Sequence, residues 1–201
     1  MTLLDKRHLL PNLKDVTLEL GCGNRKRVEN SVAIDVIDYD CVDIVGDVYE
    51  VLKEVSNSSI NEVHSHHFFE HVDDVGLLMA ELSRILKPNG MLKIVVPHFA
   101  NPYYYSDYTH KNFFGLYSFS YFSDDSLLKR KVPNYHRASS FVLWEVKLVF
   151  KSTPPFYARH FLKKVLQAVF NLNQYMREFY EENCCYLFPC YEIEFLLRRK
   201  K

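Results

Sequence analysis

Apolar residues along the chain come in short runs that end on polar or acidic positions. Val16 to Leu20 runs into glycines, Ser31 to Asp35 closes on an acid, Val42 to Val45 precedes Gly46-Asp47, and Ile60 to Ser65 leads into a histidine-rich stretch. Such runs predict parallel strands buried on both faces, with functional loops at their carboxyl ends. From Asp74 to Leu86 the spacing becomes helical, with apolar residues at Val75, Leu78, Met79, Leu82, Ile85 and Leu86. "KPNG", residues 87–90, predicts the stop of this helix, and Met91 to Val96 predicts the next strand. Ile60 to Val96 therefore reads as strand, crossover helix, parallel strand.

The pattern breaks down from Pro97 to Ser139, a segment rich in Tyr, Phe, Ser and Asp. A structureless loop of that length is uncommon, so an aromatic cap of short helices is expected there. Its cluster of Tyr103, Tyr104, Tyr105, Tyr108, Phe113 and Phe114 reads either as a stacking wall for an acceptor or as the cap's own small core. Strands return at Phe141 to Phe150 and Tyr191 to Leu197, as an edge pair with a helix between them. That helix, His160 to Phe170, carries a stripe at Phe161, Leu162, Val165, Leu166, Val169 and Phe170. The stripe reads as core or subunit contact ahead of a membrane-surface helix, an option that Lys163 and Lys164 keep open. The expected architecture is a single α/β domain over residues 1–201. It has a Rossmann-like, mostly parallel seven-stranded sheet with flanking helices, a shortened first crossover, and a cap over 97–139 that binds the acceptor.

Composition narrows the class. The 201 residues are 48% hydrophobic and 25% charged with a formal net charge of zero, as in an ordinary soluble globular protein. No basic excess points to nucleic acid, and no apolar run approaches the roughly 20 residues that span a bilayer. Five cysteines without zinc spacing read as reduced thiols in a cytoplasmic protein, and the amino terminus lacks a signal-peptide core.

The stretch "LELGCGNRKRVENSVAID", residues 18–35, carries the first chemistry. A dinucleotide fingerprint would need a third glycine where Lys26 stands, so a phosphate cradle fits poorly. Two acids suit a ligand with an ammonium end and a nucleoside end: Glu19 near the amine, Asp35 on ribose hydroxyls. S-adenosylmethionine is such a ligand. Only "NRKRVENS" separates the glycines from the next strand, too little for a full crossover helix. A loop with one or two turns at most is expected, leaving a thinly covered sheet face. Arg25 to Arg27 are then candidates for the ligand's carboxylate.

Five ordered blocks resemble those of class I S-adenosylmethionine-dependent methyltransferases: "LELGCGN", "AIDV", "GDV" at 46–48, "HHFFEHV" at 66–72 and "ELSRILKPNGMLKIVVP". The resemblance implies a cofactor site of Glu19, Gly21, Cys22, Gly23, Asn24, Asp35, Val36, Asp47, Val48, His66, His67 and Phe68. "PHFANPYYYSDYTHKNFFGLYSFSYF" and "LFPCYEIEFLL" further resemble a small branch often found among polysaccharide-synthesis genes, with Tyr108 in place of the usual proline. This implies methyl transfer to a small-molecule or glycan acceptor, at a hydroxyl of a sugar or glycan precursor, by a monomer or homodimer. The alternative is a non-catalytic binding module with the same fold.

His64, His66, His67, His71, His98 and His110 fall at or beside predicted strand ends. They read as a metal site, as a catalytic base, or as polar lining, and their spacing does not single out a metal site. A histidine titrating near neutrality suits the removal of a hydroxyl proton. His110, three residues after Asp107, is the first candidate, as base and orienter or as a capping pair. His71 and His98 follow.

Overall fold

The computed structural model describes residues 3–133, 135 and 140–201. Thirteen elements make up its regular structure: β1 Leu4–Asp5, β2 Thr17–Leu20, β3 Val32–Asp35, β4 Ile44–Val45, α1 Val48–Glu54, β5 Ile60–His66, α2 Val75–Ile85, β6 Leu86–Pro97, β7 Ser123–Asp124, β8 Phe141–Val149, α3 Tyr157–Phe170, α4 Gln174–Phe179 and β9 Glu192–Arg199. The strands form one sheet in the order β1-β4-β3-β2-β5-β6-β9-β8-β7. Nine strands replace the seven expected. The additions are β1 and β7, two-residue pieces that pair on the outer edges and carry no apolar run of their own. The seven strands between them are the predicted ones, with β4 through β6 parallel and β9 antiparallel to both neighbours.

The chain runs outward from β2 to β3 and β4, then returns to place β5 on the other side of β2. That reversal is a topological switch point, and a crevice opens there at the strands' carboxyl ends.

The helices pack on one face. Leu18, Leu20, Val63, Leu92, Ile94, Ile193 and Phe195 point into a core completed by Val51 and Leu52 of α1, Leu78, Leu82 and Ile85 of α2, and Phe119 and Leu128 of the cap. The alternate residues, Glu62, His64, Lys93, Lys147 and Glu194, face the other way and keep contact with solvent. The expectation of strands buried on both faces holds for β2, β3 and β4 and is corrected for β5, whose alternate residues stay half-exposed. Residues 21–31 form turns without a helix, as expected; this loop buries Glu19, Ala33 and Val45 on that face, while the stretch over β5, β6 and β9 stays open. The strands carry polar residues at period two because that side stays wet.

Two other expectations change. "KPNG" does end α2, but it lies within β6 as an irregularity: Leu86 pairs with Ile60 before the ladder resumes at Glu62 and Met91, with Asn89 at φ 65°. The cap contains two short 3-10 turns, Tyr104–Ser106 and Ser118–Phe122, and a bridge from His98 to Phe114, rather than regular helices. Residues 134 and 136–139 of the expected cap lie outside the described residues.

Candidate functional site

A cleft of about 240 Å³ opens over the ends of β2, β3 and β4, lined by Gly21, Ile34, Asp35, Val36, Gly46, Asp47, Val48, Tyr49, Phe68, His71, Val72, Asp73 and Lys111. Each wall has a local cause. Gly21 turns the chain off β2 at φ 65°, and Phe68 lies so close that a β-carbon on Gly21 would sit 2.5 Å from its ring. Asp47 caps α1, accepting from the Tyr49 and Glu50 amides. Asp35 holds the glycine loop, with Oδ2 accepting from the Gly23 amide at 2.8 Å and Oδ1 from Ile37 at 2.9 Å. Apolar side chains with two carboxylates at the rim match a nucleoside. At about 240 Å³ the cleft is small beside the roughly 300–1,000 Å³ of common ligand sites.

Of the cofactor residues expected from sequence, Gly21, Asp35, Val36, Asp47, Val48 and Phe68 line this cleft. Glu19 does not reach it. Its carboxylate is buried and accepts from the Arg27 and Val28 amides and the Ser31 hydroxyl, so it organises the short loop. Cys22 is buried beneath the loop against Ala33, Val42 and Val45, and burial raises its thiol pKa. Asn24 is exposed, and Gly23 supplies backbone only. His66 faces the open side of the sheet, in a wider cleft with Glu19, Arg27, His64 and Glu194. Burial, then the neighbouring His67 and Arg27, lower its pKa to about 4, so it is neutral at pH 7. Lys26 is bound to Ser31 and Asp43, and of the three basic loop residues only Arg27 lines a cleft.

His67, at φ 53°, sits between two acids. Its Nε2 lies 2.9 Å from Glu192 Oε2 and its Nδ1 3.3 Å from Glu70 Oε1. Burial alone would lower its pKa, but Glu192 and Glu70 outweigh that and raise it. Glu192 also accepts from Lys151 at 2.9 Å. Burial opposes its ionisation, yet His67 and Lys151 bring it down to about 2. Glu70 is fully buried and neither of its oxygens accepts a well-formed hydrogen bond, so the His67 contact is a charge pairing.

The four proposed catalytic residues separate. His71, on the cleft wall, has Nδ1 2.9 Å from Thr109 Oγ1. Thr109 Oγ1 in turn donates to Asp107 Oδ1 at 2.6 Å, so it accepts the His71 Nδ1 proton and leaves Nε2 with a lone pair. Thr109 holds the Asp107 carboxyl below its usual range through its hydroxyl and amide. His110 donates from Nδ1 to the Tyr104 carbonyl at 2.9 Å, and its ring lies 4.8 Å from that of His71. Asp107 Oδ2 is 3.6 Å from its Nε2. His98 is elsewhere. It is fully buried, with Nε2 bound to Glu181 and Nδ1 accepting from the Ala100 amide, and it ties the end of β6 to the π-helical turn Tyr180–Cys184 that follows α4. Glu70, His71 and His110 offer ligand atoms within 4.8 Å of one another, as do His66, His67 and Glu192, so either set has the spacing to hold a cation.

Sequence reasoning passed over Tyr49, Val72, Asp73, Thr109 and Lys111. All five stand in or beside stretches already quoted, "GDV", "HHFFEHV" and "DYTHK". The six cap aromatics divide into buried Tyr104 and Phe114 and exposed Tyr103, Tyr105, Tyr108 and Phe113, and none lines the cleft.

Solved structures share this arrangement. A S-adenosylmethionine-dependent methyltransferase from Archaeoglobus fulgidus superposes with a TM-score of 0.54 at 17% identity, over 96% of this chain and 90% of that one. One from Mesorhizobium loti gives 0.51 at 14% identity, over 96% and 95%. Haemonchus contortus phosphoethanolamine N-methyltransferase 2, in complex with S-adenosyl-L-methionine, gives 0.51 at 16%, over 93% of this chain and 49% of that chain. At such identities the likeness establishes the fold. No curated protein sequence matches the chain. The sequence profile described as a methyltransferase domain matches residues 2–172, most of the chain. With the switch-point cleft and its glycine turn, that match makes the protein a member of the methyltransferase domain family.

Proposed function

We propose that the protein transfers a methyl group from S-adenosylmethionine to a hydroxyl of a sugar or glycan precursor. One observation carries the reading: His71 belongs at once to the cleft over β2, β3 and β4 and to the His71–Thr109–Asp107 relay of the cap. The Haemonchus neighbour, in complex with the same donor, supports the choice of cofactor.

Bound there, S-adenosylmethionine supplies a methyl carbon on a positively charged sulfur. Asp35 and Asp47 present carboxylates to the nucleoside hydroxyls and adenine amine, and Gly21 lets the backbone come close. His71 Nε2 would take the acceptor hydroxyl's proton as that oxygen receives the methyl group the sulfonium would supply, with the sulfur leaving as a neutral thioether. Asp107, through Thr109, keeps Nδ1 protonated and Nε2 free, which is the orienter's part in a base pair. His110 packs on His71 and is the second candidate. Alignment of the hydroxyl by the cap provides much of the acceleration. We read neither histidine–carboxylate group as a cation site in the working protein, so chelation should leave activity intact.

The test is transfer of labelled methyl to a panel of sugar acceptors. His71→Gln should lower kcat by about 100-fold or more, a far larger loss than any change in S-adenosylhomocysteine affinity. An unaltered kcat for His71→Gln and for His110→Gln would refute the base assignment. Labelling of amines in place of hydroxyls would refute the acceptor class.

A further inference from the structure

We propose that α3 docks the protein onto an anionic lipid surface. The helix is turned with polar residues toward the sheet and apolar residues outward. Lys163 is buried and donates to the carbonyls of Lys151 at 3.1 Å and Pro189 at 3.0 Å. Gln167 accepts from the Phe150 amide at 2.9 Å, and Asn171 exchanges hydrogen bonds with the Leu148 backbone at 2.9 and 2.7 Å. These bonds tie the helix down, and of its apolar residues only Phe170 is buried. Tyr157, Phe161, Leu162, Val165 and Val169, with Leu172 just beyond, are exposed, Phe161 at 70% and Leu162 at 63%. A surface helix ordinarily turns such a stripe inward, and a continuous apolar patch of this kind marks an interaction surface.

Charge selects the occupant. From Lys151 to Arg177 the sequence contains no Asp or Glu, yet it carries Lys151, Arg159, Lys163, Lys164 and Arg177 in a chain of zero net charge. Arg159 and Lys164 are exposed and, at 3.6 residues per turn, border the stripe on opposite sides. A second copy seated across a twofold axis would set these cations against their own kind. An anionic headgroup layer complements them, while aromatic and branched side chains enter the acyl boundary. No helix among the described residues is long and apolar enough to cross a membrane, so the contact is peripheral. This docking does not depend on the acceptor's identity.

The test is flotation of the full chain with vesicles of phosphatidylcholine alone and of phosphatidylcholine mixed with phosphatidylglycerol. The chain should float with the anionic vesicles and not with the neutral ones. Phe161→Glu with Val165→Glu should weaken binding by roughly tenfold or more. Arg159→Glu with Lys164→Glu should do so by a similar factor, as should added salt. Circular dichroism should be unchanged in both, since all four side chains are exposed. Failure of the wild type to bind anionic vesicles would overturn the proposal. So would equal binding to neutral vesicles, or binding untouched by both double variants. A dimer split by Phe161→Glu, in a protein that ignores vesicles, would assign the face to a second copy instead.

Discussion

Gly21 and Gly23 both sit at positive φ, at 65° and 62°, yet they answer to different constraints. A side chain at Gly23 would meet open space, whereas one at Gly21 would strike Phe68. Gly23→Ala should therefore cost only the backbone term, about 1–2 kcal/mol. Gly21→Ala should cost more and also displace Phe68 from the cleft wall. Denaturant midpoints and cofactor titration of the two variants check this ordering; equal losses would contradict the close approach. His67 gives a pH dependence. Its folded pKa is raised above the unfolded value near 6.5, so its stabilisation is full below that value and is lost as pH rises through the folded pKa. Glu192 behaves oppositely. Its contribution is present above the unfolded value of 4.5 and disappears as pH falls toward about 2. Melting curves of wild type and His67→Gln should thus differ most in mildly acidic buffer and converge at alkaline pH. A gap that widens with rising pH would contradict the pairing.

Among the elements, α3 departs furthest from its sequence pattern. Its stripe has the spacing of a core face, and the structure buries instead the lysine on the other side. Periodicity reports that a helix is amphipathic without saying which face meets the protein. Burial lowers the Lys163 pKa, but two backbone carbonyls remain to be satisfied. Lys163→Leu, which leaves both carbonyls without a donor, should accordingly destabilise by about 1–3 kcal/mol. A neutral or stabilising effect in urea unfolding would show that the lysine is not the anchor. The short α1 was legible and overlooked: Asp47 caps it, and Val48, Val51, Leu52 and Val55 repeat at helical spacing. Two turns leave a weak periodic signal. The open sheet face was legible in part. The eight-residue crossover exposed its absence of a covering helix, but the period-two alternation of "INEVHS" speaks for one-sided burial, against the two-sided burial expected of that strand.

For the whole molecule, the α/β class and the mostly parallel sheet followed from the alternation of strands with a crossover helix and from the five ordered motif blocks, whereas the strand order came from the structure. The cleft at the carboxyl ends of β2, β3 and β4 lies where that topology puts it. Glu19 shows what the sequence leaves open: one carboxylate can serve a ligand's ammonium or a loop's amides, and the structure shows the bonds to the Arg27 and Val28 amides. The same holds for His98, whose Glu181 partner is 83 residues away. Calorimetric titration of the full chain with S-adenosylhomocysteine and with NAD is the most direct test of the donor site. One equivalent of S-adenosylhomocysteine should bind, with affinity lost in Gly21→Ala, and NAD should not bind. Tight binding of NAD, or no heat with S-adenosylhomocysteine, would contradict a methyl-donor site over β2, β3 and β4.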